Sequence, residues 1–131
     1  MKQNIIIFSS GESLKIAKRM QSSFYHKDYN VTLWSQGFFE FSKSYISNFD
    51  NMHYEYDYAI AICNKDDITV KRDTTYNTTR DNVILELGMC IGTFGLERVL
   101  IVKEESVELP SDLKGIQPID FVLETVKIRK C

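Results

Sequence analysis

Three short apolar runs constrain the fold of this chain most strongly. They are Asn4–Phe8 (NIIIF), Tyr58–Cys63 (YAIAIC) and Arg98–Val102 (RVLIV). Each run is almost continuously apolar and does not alternate between apolar and polar residues. This pattern is typical of strands that are covered on both faces, as in a parallel sheet lying between layers of helices. The runs therefore predict an α/β domain.

Helical patterns alternate with these strands. The predicted helices are about Ser13–Tyr25, Lys43–Met52 and Thr78–Gly95. Two shorter strands are predicted at Val31–Trp34 and Ile119–Val122, and the polar segment Asn64–Asn77 is interpreted as a long loop. Strand–helix alternation with short crossovers predicts a flavodoxin-like three-layer sandwich with a central, mainly parallel five-stranded sheet.

The segment Thr78–Gly95 (TTRDNVILELGMCIGTFG) reads as the central helix. Thr78 followed by Asp81 is a capping-box pattern, and Gly95 is a typical end signal. Most positions between them are apolar, which predicts a helix buried on all sides. Glu86 is the one glutamate in this apolar segment and therefore requires an explanation.

Length and composition limit the functional classes. The 131 residues fit a single domain over 1–131, with 122–131 expected to be a tail or the start of a linker to a further domain. With 16 basic and 18 acidic residues, and no basic cluster in the interior, a nucleic-acid partner is not expected. No apolar run is long enough to span a membrane. Three cysteines without CxxC spacing predict free thiols in the cytoplasm and no metal site.

In flavodoxin-like folds, ligands bind beyond the carboxyl ends of the parallel strands. Here that edge is predicted to comprise Ser9–Glu12, Trp34–Phe39, Cys63–Asn77 and the start of the central helix. Glu86 on that helix is either a structural carboxylate, paired with a neighbouring group, or a functional one facing the cleft. A buried carboxylate without a partner is costly, so both interpretations require a defined environment.

Two further features of this edge leave alternatives open. The turn Ser9-Ser10-Gly11 is suited either to cradling phosphate oxygens or to capping the next helix, and it matches neither GxGxxG nor the Walker pattern. Trp34, followed by Gly37 and two phenylalanines, is placed either to stack on a ligand ring or to fill the core. A phospho-receiver domain is excluded, because Phe8-Ser9-Ser10 and Ile62-Cys63-Asn64 replace its acidic residues.

Several sequence blocks, in their order and spacing, resemble those of bacterial TIR-like domains. The blocks are Val31–Gly37 (VTLWSQG), Tyr56–Ile60 (YDYAI), Asp66-Asp67, Thr79–Gly88 (TRDNVILELG) and Leu109–Gly115 (LPSDLKG). The resemblance covers roughly Asn4–Phe121. Such domains occur in antiphage defence effectors, often fused to a cyclic-dinucleotide-sensing STING domain.

The resemblance implies an enzyme, an NAD+ nucleosidase that forms nicotinamide and ADP-ribose or a cyclic variant. NAD+ would be the substrate, with no separate cofactor, and Glu86 of the ELG block would be the catalytic residue. Activity would depend on self-association through TIR surfaces. The expected substrate-binding residues lie around the strand ends and the helix start: Phe8, Ser9, Ser10, Trp34, Gln36, Arg80, Asp81 and Asn82.

Two alternatives to this enzyme remain at this stage. The domain is either catalytic or a TIR adaptor that self-associates without chemistry. A third and weaker interpretation is a nucleoside ribosyl- or deoxyribosyltransferase, because that chemistry also uses a glutamate in a flavodoxin-like fold.

Overall fold

The computed structural model describes residues 2–24, 28–34, 52–113, 115–122 and 127–129. In chain order the strands are β1 (Gln3–Phe8), β2 (Tyr29–Leu33), β3 (Tyr58–Cys63), β4 (Asp67–Lys71), β5 (Thr74–Thr78), β6 (Val99–Glu104), β7 (Ile119–Val122) and β8 (Lys127–Arg129). The helices are α1 (Leu14–Ser23), α2 (Met52–Glu55) and α3 (Asp81–Phe94).

The main sheet has the strand order β2-β1-β3-β6-β7-β8. The first five strands in this order are mutually parallel, and β8 joins β7 in the antiparallel sense. This arrangement confirms the predicted α/β, flavodoxin-like fold with a central parallel five-stranded sheet. Strand β8 lies within the segment 122–131, which the sequence pattern predicted to be a tail or linker.

The two faces of the sheet carry separate cores, because successive side chains of a strand point to opposite faces. Ile5, Ile7, Ile60 and Ile62 face α1 and pack with its buried Ala17. The intervening residues of β1 and β3 face α3 and form two clusters. One cluster includes Cys90 of α3, and the other includes Leu87. The continuous apolar runs thus supply both faces, as predicted. No helix in the described part of the chain is long and apolar enough to cross a membrane.

The segment Asn64–Asn77 is not a loop, and that prediction was wrong. Strands β4 and β5 form a separate antiparallel hairpin that precedes α3. Its turn residues Arg72 and Asp73 have φ values of 47° and 67°, as a tight two-residue hairpin turn requires. Threonines dominate β5, and β-branched residues favour strands even where no apolar core signals them.

The central helix begins later than predicted. Helix α3 starts at Asp81 after Arg80, whereas Thr78 belongs to β5 and its hydroxyl lies 2.8 Å from that of Thr69. The predicted capping box is therefore absent, because hairpin pairing holds Thr78 in an extended conformation. The helix does end as predicted, with Gly95 at its C-cap.

Helix α3 is also not buried on all sides. Val83, Glu86, Leu87 and Cys90 face inward, whereas Leu85 on the opposite side is 46% exposed. The sheet covers one face of the helix, so a mostly apolar sequence gives a helix with one buried face. The predicted helix Lys43–Met52 falls almost entirely outside the described residues; α2 begins at Met52.

Asp66 joins three chain segments at the carboxyl edge of the sheet. Its carboxylate accepts hydrogen bonds from Ser10 Oγ (3.0 Å), Thr79 Oγ1 (3.2 Å) and the Arg80 backbone N–H (3.3 Å). The loop after β1, the loop after β3 and the start of α3 therefore meet at one side chain. Asn64 adds a second link, donating from Nδ2 to the buried Ser13 Oγ at 2.9 Å. We call this cluster of Ser10, Ser13, Asn64, Asp66 and Thr79 the Asp66 junction.

Replacing Asp66 by Ala should destabilise the domain by about 1–3 kcal/mol, because partly buried donors of the junction lose their acceptor. Chemical denaturation of both proteins measures this difference. Asp73→Ala is not a suitable control because of its positive φ, whereas Asp73→Asn tolerates that conformation and should change stability by less than about 0.5 kcal/mol. Equal stability of Asp66→Ala and the unmodified chain would contradict the proposed role of the junction.

Alanine substitutions at two glycines of the α3 region should change the stability of the domain in opposite directions. Gly95 has φ 85° and ψ 153°, a conformation essentially restricted to glycine, so Gly95→Ala should cost about 1–3 kcal/mol. Gly92 lies within the helix, and the space that an added Cβ would occupy is open, so Gly92→Ala should stabilise by about 0.5–1 kcal/mol. Thermal unfolding of the two variants tests the pair, and a shift of the same sign in both would refute this interpretation.

Candidate active site at the carboxyl edge of the sheet

Glu86 is a buried carboxylate on the sheet-facing side of α3. Glu86 is 3% exposed, and as the sixth residue of α3 it lies about 7.5 Å along the axis from the start of the helix. Cys90, one turn later, packs in a cluster with Phe8 and Trp34. Burial, and secondarily the charge of Glu86, raise the pKa of the Cys90 thiol. Glu86 therefore lies one helical turn before Cys90, which belongs to this aromatic cluster.

The aromatic cluster is formed where β1 and β2 end. The rings of Phe8 and Trp34 have centroids 4.9 Å apart at an angle of 37°. Phe8 is fully buried, and Trp34 is 9% exposed. Both rings thus contribute to the core, as one of the two interpretations of Trp34 proposed. Only a small part of Trp34 remains exposed for contact with a ligand.

The serine loop after β1 is held by side-chain contacts. Ser10 is buried, and its hydroxyl belongs to the Asp66 junction, where it also lies 3.2 Å from Ser13 Oγ. Its side chain makes no cap hydrogen bond to the turn that follows. Ser9 is half-buried beside it. The hydroxyl of Ser10 is therefore engaged within the protein, and Ser9 is the more accessible of the two serines.

Arg80 bridges the start of α3 to two acidic side chains. Its Nη2 lies 3.0 Å from Glu12 Oε1, and its Nε lies 3.4 Å from Asp67 Oδ2. The hydrogen bond to Glu12 and the charge of Asp67 raise the pKa of the guanidinium group. Arg80 thereby links α3 to the loop before α1, across the top of the Asp66 junction.

The remaining predicted site residues lie on the outside of α3 or beyond the described residues. Asp81 and Asn82 are exposed, and Asp81 Oδ1 accepts a hydrogen bond from the Asn82 backbone N–H at 2.8 Å. This bond satisfies one of the free amides of the first helical turn. Gln36 lies outside the described residues.

The edge therefore brings together most of the predicted residues, but with different tasks. Phe8 and Trp34 form a buried cluster with Cys90, one helical turn after the buried Glu86, while Ser10 and Arg80 bind Asp66 at the Asp66 junction. Sequence reasoning missed the role of Asp66 as the side chain that connects these loops. The signal available was its position three residues after a buried strand, where parallel strands end at a common edge.

Other chemistries find little support at this edge. Burial raises the pKa of the Cys63 thiol to about 12, with a smaller contribution from the charge of Asp66. Neither Cys63 nor Cys90 is therefore suited to act as a nucleophile at neutral pH. The described segments contain no group of three or more His, Cys, Asp or Glu side chains arranged to hold a metal ion.

Comparison with known proteins identifies the family. The family described as "CAP12/Pycsar effector protein, TIR domain" matches residues 4–122. The chain is 38% identical over 122 residues to the Pycsar effector protein PaPycTIR of Pseudomonas aeruginosa, covering 92% of this chain and 40% of that protein. It is 36% identical over 121 residues to the CD-NTase-associated protein 12 of Flavobacterium daejeonense, covering 92% of this chain and 39% of that protein.

A third relative is the Pycsar effector protein BcPycTIR of Burkholderia cepacia, 34% identical over 125 residues that cover 94% of this chain and 41% of that protein. The chain thus spans about two fifths of the length of these relatives. The match over almost the whole chain and the parallel five-stranded sheet agree with the resemblance found in the sequence blocks. The chain belongs to the TIR-domain family of CAP12/Pycsar effector proteins.

Proposed function

We propose that this domain is an NAD+ nucleosidase in which Glu86 is the catalytic residue. The observation that supports the proposal most directly is the burial of Glu86, 3% exposed, on the sheet-facing side of α3, one helical turn before Cys90 of the aromatic cluster. Ligands of flavodoxin-like folds bind at this edge. A carboxylate in apolar surroundings interacts strongly with a positive charge that develops nearby.

One carboxylate is sufficient for the cleavage of NAD+. Ordinary glycosidases use a second carboxyl group to protonate the leaving oxygen. The nicotinamide of NAD+ is already a pyridinium cation, so it departs as a neutral ring with the electron pair of the broken C–N bond. Glu86 would stabilise the positive charge left on the ribose. Water then attacks the ribose C1′ and releases a proton, which gives ADP-ribose, while attack by another group of the substrate gives a cyclic product.

The other edge residues would position the substrate. Trp34, which keeps a small exposed fraction, would contact the nicotinamide ring, and Ser9 with the backbone of the serine loop would contact the ribose or diphosphate. Phe8, Ser10 and Arg80 would act mainly by fixing the loops, because the Phe8 ring is buried and the polar groups of Ser10 and Arg80 already bind other residues. Asp81 and Asn82 would shape the entrance at the start of α3, and Gln36 is proposed as a further contact.

We further propose that the domain is the effector part of a bacterial antiviral defence protein. The relatives that it matches are named as Pycsar effectors and CD-NTase-associated proteins, and the matched region covers 40% and 39% of the two cited above. Under this proposal, a sensor such as a cyclic-dinucleotide-binding STING domain clusters several copies in the cytoplasm. Clustering completes the site, so isolated copies turn over NAD+ slowly.

Glu86→Gln should reduce NAD+ turnover by about a hundredfold or more, because the amide keeps the shape of the side chain but cannot balance a positive charge. Turnover is measured as nicotinamide released by copies that are clustered through a fused oligomeric tag. The matched control is Glu104→Gln. Glu104 is also buried, but its carboxylate accepts from the backbone and hydroxyl of Ser106 at 2.9 and 2.6 Å, so this variant should keep its activity.

The outcomes separate the competing functions. Full activity of Glu86→Gln in clustered form would exclude Glu86 as the catalytic residue. An inactive unmodified domain, even when clustered, would favour the non-catalytic adaptor. Cleavage of free nucleosides in preference to NAD+ would indicate a ribosyltransferase.

A further inference from the structure

The β4–β5 hairpin has an open edge and an exposed apolar face. Within the segments that the structure describes, β4 forms strand pairs with β5 alone. Ile68 and Val70 on β4 are 71% and 66% exposed. An open strand edge with β-branched residues is a ready template for pairing with another strand. The hairpin contributes these side chains neither to the core nor to the group around Glu86.

The turn determines which backbone groups face the open edge. A two-residue turn with positive φ at Arg72 and Asp73 is of type I′, and the Lys71–Thr74 pair that flanks it is hydrogen-bonded. Bonded and non-bonded pairs alternate along an antiparallel ladder. The N–H and C=O groups of Lys71, Thr69 and Asp67 therefore face β5. Those of Ile68 and Val70 face away from β5, and no other strand in the described segments pairs with them.

The sequence of β4, Asp-Ile-Thr-Val-Lys, complements itself when one copy runs antiparallel to another. If the pairing is centred on Thr69, Asp67 lies opposite Lys71 of the second copy, and Ile68 lies opposite Val70. Both ends of the interface then carry an opposite-charge pair, and the outward backbone groups of Ile68 meet those of Val70. A parallel, in-register arrangement would instead place each charge against its like, which is unfavourable.

We propose that β4 is a self-association surface that pairs antiparallel with β4 of a second copy of this chain. The two hairpins then form one four-stranded sheet across a twofold axis, with the Ile68 and Val70 side chains of both copies on one face. Such an isologous contact is the usual form of a closed dimer. Because the hairpin is short, the contact is weak for isolated copies and becomes populated when copies are concentrated.

This surface does not depend on the chemistry proposed for Glu86. It is nevertheless connected to that site, since β5 ends at Thr78 and α3 begins at Asp81. Asp67, at one end of the β4 interface, also contacts Arg80 just before α3 (3.4 Å). Pairing of two hairpins would therefore fix the starts of two α3 helices relative to each other.

Cysteine cross-linking tests the register. Thr69 would lie opposite itself in a non-hydrogen-bonded pair, with Cα atoms about 4.5 Å apart, which suits a disulfide. Thr69→Cys, in a Cys131→Ser background, should therefore form a covalent dimer under mild oxidation. The native Cys63 and Cys90 are buried and should not interfere. Non-reducing electrophoresis measures the rate.

Ile68→Cys is the matched control. Ile68 is more exposed than Thr69, but two Ile68 residues would be about 8 Å apart in the proposed register, too far for a disulfide. Thr69→Cys should cross-link at least about tenfold faster than Ile68→Cys, because only the two Thr69 positions are close enough for a disulfide. Equal rates, or a faster Ile68 variant, would indicate random collisions and overturn the proposal.

Charge exchange provides a test without cysteines. Lys71→Asp places like charges at both ends of the interface and should weaken self-association about tenfold, as measured by sedimentation equilibrium. The double variant Asp67→Lys, Lys71→Asp restores opposite pairs and should recover the affinity. A mixture of the single variants Asp67→Lys and Lys71→Asp should form heterodimers, because each then faces the opposite charge on its partner.

Glu86→Gln should self-associate as the unmodified chain does. A result that refutes the catalytic role of Glu86 would therefore not refute the β4 interface. Circular dichroism confirms that each variant is folded before its association is scored. If the folded double variant associates no better than Lys71→Asp, or if no folded form associates at any concentration, the β4 interface is excluded.

Discussion

The carboxylate of Asp66 is the interaction on which the candidate site depends. It binds Ser10 after β1 and both Thr79 and Arg80 before α3, so it fixes three loops at the edge where parallel strands end. Ion pairs from Arg80 to Glu12 and Asp67 extend the same connection. These contacts add to the packing of Val83, Leu87 and Cys90 against the sheet in setting the position of α3.

The fold was largely predictable because the central strands of the main sheet have almost continuously apolar sequences. The runs of β1 and β3 are apolar at nearly every position, so their burial on both faces follows from composition alone. The hairpin was not predictable in the same way, because β4 and β5 are polar, largely exposed and stabilised by pairing rather than by burial. Its turn, Arg72-Asp73, also lacks the glycine that usually marks a tight hairpin turn.

The candidate site was likewise predictable from the sequence only in part. Glu86 stood out because a carboxylate in an apolar helix is costly, and the structure places it on the buried face of α3. The tasks of Ser10, Arg80 and Asp66 depend on contacts between residues that are 13 to 68 positions apart in the chain, which no local pattern encodes. Likewise, Thr78 and Asp81 form a capping pattern in sequence, but pairing within the hairpin removes Thr78 from the helix.

Two sets of contacts act on the same helix. The Asp66 junction holds the start of α3 from within the domain, and the proposed β4 interface would hold it relative to a second copy. A site that needs both would respond to clustering without a large change in the fold, because each copy already has Glu86 in place. Activation by clustering is part of the proposal, as is the chemistry that requires only this one carboxylate.

The most direct measurement is a structure of the clustered domain with an NAD+ analogue that resists cleavage. We predict that the analogue binds at the carboxyl edge of the sheet, with the Glu86 carboxylate within about 4 Å of the ribose C1′ or its hydroxyl groups, as a near-attack geometry requires. An analogue bound elsewhere, or a Glu86 carboxylate turned away from the ribose and engaged only with protein groups, would contradict the catalytic role proposed for Glu86.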